Sequence, residues 1–142
     1  MLPDRLKRNE SEISAIRAIA ESGQDRPVLM LNMNRYTPKA GYPESDLYNR
    51  YLDGLTALVA SLGGTILWRL PVFGQPVGPQ DEIDEILAIW YPTHRAYLDV
   101  PAAPGGEENY RLRRLCVESA VIQRCAGEPL HRMAAGGAGA AP

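Results

Sequence analysis

The stretch "YPTHRAYLDV" carries His94, the side chain of this 142-residue chain best suited to acid-base work, since imidazole exchanges protons near neutral pH. His94 follows a β-type run, which would put it at a cavity mouth beside Arg95; the alternative is a surface or capping residue at a helix start. Two amides, Asn32 and Asn34 in "VLMLNMNRY", can orient a carbonyl or a hydroxyl by hydrogen bonds. Trp68 and Trp90 would give such a site aromatic walls, or would instead anchor an interface between subunits. Arg69 lies within a strand that fixes the direction of its guanidinium, which makes it the better anion ligand. Arg111, Arg113 and Arg114 would serve only if turned inward, and the run "RLRR" leaves open which one is. The site suggested is a catalytic His94 with Asn32, Asn34, Trp68, Arg69 and Trp90 binding substrate.

Other chemistries leave no mark. There is no metal-ligand spacing, nucleophile elbow or glycine-rich phosphate loop opening a helix. "DEIDE" at 81–85 lacks the glycine and later glutamate of a calcium loop and reads as a solvated entry to a strand. Cys116 and Cys125 fall in different elements, outside any CxxC, and read as reduced packing thiols. The expectation is no metal and no cofactor.

The elements that must position these residues follow from periodicity. "NESEISAIRAIAESG" (9–23) is amphipathic, with Ile13, Ile16, Ile19 and Ala20 on one stripe and Asn9 and Glu12 resembling a capping box. Strand 28–36 puts Asn32 and Asn34 on a face with Val28 and Met30, against Leu29, Leu31 and Met33. The all-apolar face is expected under helices and the amide face against a cavity or a partner subunit. A helix within 44–64 buries Leu47, Tyr51, Leu55, Leu58 and Leu62, and Gly63 and Gly64 turn the chain into "TILWRLPVF", where Pro71 argues for an edge or a bulge. In that strand Ile66, Trp68 and Leu70 share one face. "DEILAIWYP" is the third strand, Thr93 caps a short helix, "EENYRLRRLCVE" is another helix, and "SAVIQRC" the last strand.

The order is a helix followed by β-α-β-β-α-β, the split βαβ arrangement of ferredoxin-like α+β domains. Its helices cover one sheet face and leave the other bare, which predicts a homodimer packed sheet on sheet. Residues 1–125 form one domain, and 126–142, including His131, read as a disordered low-complexity tail. Fifteen basic and seventeen acidic residues give a net charge of −2 with no long basic run, so nucleic acid is not an expected partner. The polar start "MLPDRLKRNESEIS" and the lack of a long apolar stretch predict a cytoplasmic protein with no membrane partner.

"PVLMLNMNRY", "YNRYLDGLTALVASLGGTILWR", "DEILAIWYPTHRAYLDV" and "ENYRLRRLCVESAVI" together resemble, in order and spacing, the family called domain of unknown function 1330. The resemblance covers roughly residues 9 to 125 and implies a four-stranded antiparallel sheet of the dimeric α+β barrel superfamily. Family members usually carry a His-Arg pair in the last helix, whereas "NYRLRRLC" has no histidine; Arg111, Arg113 and Arg114 are the nearest substitutes. Some superfamily members bind haem through a histidine, for which His94 is the only candidate, and others oxidise aromatic substrates without a cofactor. The reading is a homodimer binding a small organic molecule in a cavity at the sheet face, as a cofactor-free oxygenase or isomerase. The alternative is a non-catalytic binding or interaction module.

Overall fold

The computed structural model describes residues 6–128. Its elements are α1 (Glu10–Ala20), β1 (Val28–Tyr36), α2 (Asp46–Ser61), β2 (Thr65–Pro71), β3 (Glu85–Tyr91), α3 (His94–Leu98), α4 (Gly106–Cys116) and β4 (Val117–Ala126). The strands form one antiparallel sheet in the order β2-β3-β1-β4, the ferredoxin-like arrangement. Among the described residues no helix is long and apolar enough to cross a membrane.

The helices cover one face, as chain order requires. Tyr51 and Leu58 of α2 are buried on the predicted stripe, while Tyr48, Leu52 and Val59 widen it. Gly63 turns the chain with φ +84°, and a side chain on Gly64 would meet the Trp90 carbonyl oxygen at 2.6 Å, so the "LGG" turn admits nothing larger there. Thr93 caps α3 by accepting from the Ala96 amide. Asn9 occupies the cap position of α1, though without a side-chain cap hydrogen bond. Ile13 and Ile16 of α1 join the core, and Arg124 of β4 donates to the Glu12 carboxylate, tying this helix to the sheet.

Three expectations need correction. The helix-covered face of β1 is the one with Val28, Met30, Asn32 and Asn34, paired with Tyr91, Ile89, Leu87 and Glu85 of β3; Leu29, Leu31 and Met33 lie on the open face. An extra residue at Leu67 then breaks the alternation of β2, so Ile66 and Arg69 face the helices while Trp68 and Leu70 face away. Finally, the domain runs past residue 125, since Ala126 still pairs with Val28 and the Gly127 carbonyl accepts from the Trp90 indole at 3.0 Å. The remainder of the expected tail, 129–142 with His131, lies outside the described residues.

Candidate functional site

Between the covered face and the helices lies a cavity of about 260 Å³. Its floor is β1 with Met30, Asn32 and Asn34, together with Leu87 and Ile89 of β3. α2 adds Tyr51 and Leu58, and α4 adds Asn109 and Arg113. Segment 6–9 and α1 close one side. The wall is mostly apolar with a few convergent polar groups, which is the usual character of a small-molecule site.

The polar groups differ in how far they are already satisfied. Asn109 donates through Nδ2 to the Tyr51 carbonyl at 3.1 Å, a contact that Gly54 permits, since a side chain at 54 would approach Nδ2 to 3.0 Å. The Arg113 guanidinium lies against the Tyr51 hydroxyl, and burial pushes that phenol up despite the neighbouring cation. Asn34 is 4% exposed and donates through Nδ2 to the Tyr36 hydroxyl at 3.3 Å. Asn32 is 8% exposed and has no side-chain hydrogen-bond partner among the described residues. Among the described residues every buried side-chain nitrogen or oxygen wholly shielded from solvent is bonded, so the free atoms of Asn32 must open onto the cavity.

Next to Asn34 the fold builds a second polar cluster around Glu85, which is 4% exposed. Its Oε1 accepts from the Tyr36 hydroxyl at 2.6 Å and the Tyr48 hydroxyl at 2.8 Å. Burial, reinforced by the Glu85 carboxyl, pushes the Tyr48 phenol far up; burial does the same at Tyr36. Arg69 donates to the Tyr48 hydroxyl at 3.0 Å and stands 3.7 Å from Glu85 Oε2. Tyr42 stacks on Tyr36 and meets Tyr48 edge-on, closing the cluster with aromatic carbon.

The expected site therefore divides. Asn32 and Asn34 line the cavity. Arg69 shares their face but has its anion in Glu85. Trp68, 43% exposed, and Trp90 lie together on the open face, away from the amides, because the Leu67 bulge and the β1–β3 register put them there. His94 is 3% exposed and does not line the cavity; its ring faces the α1–β1 connection, with Nδ1 at 3.0 Å from Asp25 Oδ1 and 3.1 Å from the Arg26 carbonyl. That position corrects the cavity-mouth expectation and equally removes His94 as the axial ligand of a haem seated there. Of the three arginines, Arg113 lines the cavity, whereas Arg111 is exposed and paired with Glu108. Glu85 of "DEIDE" is buried, not solvated.

Sequence reasoning missed Asn109, Tyr51 as a cavity residue, and the Glu85 cluster. A signal for Asn109 was present, since it shares a helical stripe with Leu112 and Cys116, both buried. Among the described residues no group of three or more His, Cys, Asp or Glu side chains is placed to hold a metal ion.

No family model matches the chain, and no curated protein matches it. Solved structures do. The chain is similar to the RPA0582 protein of unknown function from Rhodopseudomonas palustris, at 27% identity and a TM-score of 0.71, covering 89% of this chain and 97% of that one. The methylated form of RPA0582 gives the same TM-score at 24% identity over 89% of this chain and 95% of that one. A dabb family protein with a ferredoxin-like fold from Mesorhizobium loti matches at 15% identity and a TM-score of 0.52, over 75% of this chain and 99% of that one. The fold is thus ferredoxin-like α+β, the fold that the Mesorhizobium protein of the dabb family also has.

Proposed function

We infer that the chain forms a homodimer through its open sheet face and binds a small organic molecule between sheet and helices. The observation that carries the binding reading is Asn32, more than nine-tenths buried, bordering a cavity and unbonded among the described residues. A buried amide without a partner costs free energy unless a ligand or an ordered water meets it. The homodimer reading is supported by the contiguous apolar surface of Leu29, Leu31, Met33, Trp68, Leu70 and Val121, an area normally hidden by a second copy. It agrees with the dimeric arrangement that gives the family of the Mesorhizobium protein its name. Membership of the domain of unknown function 1330 family and a cytoplasmic location belong to the same proposal and rest on the sequence motifs.

The non-catalytic alternative is favoured over the oxygenase or isomerase reading by the position of His94, whose Nδ1 has two acceptors outside the cavity. Trp68 and Trp90 are then anchors of the dimer. The test is a thermal-shift screen of small oxygen-bearing compounds against the wild type and Asn32→Leu. Stabilisation of the wild type that vanishes in the variant supports the reading. No stabilisation by any compound, or stabilisation retained in the variant, contradicts it.

A further inference from the structure

Resting on that reading, we propose that the molecule held in this cavity is a small hydroxycarboxylate, its anionic group met by Arg113 and its hydroxyl donated to Asn34. Among the described residues, the arginines lining the cavity are Arg8, Arg113 and Arg124, and the carboxylate beside them is Glu12. Arg124 holds that carboxylate. Arg113 has no carboxylate within ion-pair distance among the described residues, and its neighbour is the neutral Tyr51 phenol. A guanidinium turned into an apolar-walled space without a counter-ion is matched best by a planar carboxylate, which it grips with two parallel hydrogen bonds.

The Glu85 cluster sets the preference for a hydroxyl. A phenol has one proton, and the Tyr36 proton goes to Glu85 Oε1. The Tyr36 oxygen can then only accept, so Asn34 turns its Nδ2 toward it and keeps Oδ1 for the cavity. Asn34 is thereby fixed as an acceptor and selects a donor. Asn32, with both amide ends free, serves a donor or an acceptor and adds no selectivity. A volume of about 260 Å³ exceeds the roughly 150 Å³ that encloses benzene, which suits one substituted ring.

The test uses calorimetric titration of the full chain with benzyl alcohol, benzoate, 3-hydroxybenzoate and 4-hydroxybenzoate. The expected result is that benzoate binds at least tenfold tighter than benzyl alcohol, and that one of the hydroxybenzoates gains a further fivefold or more. Arg113→Gln should erase the carboxylate preference, bringing benzoate and benzyl alcohol to within twofold of each other. Tyr36→Phe, which frees the Asn34 amide to turn, should erase the hydroxyl gain while leaving benzoate binding within twofold. Equal binding of all four probes, or preferences unchanged in the two variants, overturns the hydroxycarboxylate assignment and leaves the cavity reading standing. Binding of none of the four overturns both.

Discussion

His94 Nδ1 lies 3.0 Å from Asp25 Oδ1, so the one histidine among the described residues closes the connection between α1 and β1 instead of facing the cavity. The same carboxylate accepts from the His94 and Arg95 amides at the start of α3. His94→Ala should therefore lower stability by about 1–3 kcal/mol in chemical denaturation and leave ligand affinity within twofold. A variant that loses ligand binding but keeps its stability would return His94 to the site.

The Asp25 contact also sets a pH dependence. Burial pushes its carboxyl up, but the amides of His94, Arg95 and Arg26 together outweigh that, and the net shift is downward. A carboxyl lowered in the folded state contributes its full stability above its unfolded value, near 3.9, and loses it as pH falls through the lower folded value. Asp25→Asn should thus be less stable than the wild type at neutral pH, and the gap should close under strongly acidic conditions. A gap constant with pH would contradict the assignment.

Glu85 supports the floor of the cavity from behind. Glu85→Leu removes the acceptor shared by Tyr36 and Tyr48 and should cost roughly 3 kcal/mol, because two buried phenol protons then lack an acceptor. Denaturant midpoints of wild type and variant give the measurement. A change below ~0.5 kcal/mol would mean that the cluster relaxes freely.

Leu31 sits mid-strand on the open face, between Ala88 and Gln123. Leu31→Glu should turn the proposed homodimer into a folded monomer in sedimentation equilibrium, since a carboxylate would be trapped unpaired between two sheets. A variant that remains dimeric at the wild-type concentration would place the interface elsewhere.

The element order was legible because hydrophobic periods of two and of about 3.6 residues alternate cleanly along the chain, and the cap at Thr93 and the "LGG" turn sit where the structure uses them. The faces were harder. Both sides of β1 carry apolar residues, and the amides point into the covered layer because a cavity there leaves them room. An extra residue at Leu67 cannot be read from "TILWRLP", yet it sends Ile66 and Trp68 to opposite faces. Glu85 looked solvated because its phenol partners are 49 and 37 residues away in sequence. Arg113 could not be separated from Arg111 and Arg114 until α4 docked on α2.

Native mass spectrometry of wild type and Asn32→Leu, each purified identically and titrated with the tightest ligand from the screen, reads subunit number and cavity occupancy together. Both proteins should be dimers, with one ligand per subunit on the wild type and at least tenfold weaker occupancy on the variant. The variant should also be as stable as the wild type or more so without ligand, because an unbonded buried amide has been replaced by an apolar side chain. A wild-type monomer, or equal occupancy of the two proteins, would contradict the proposed function.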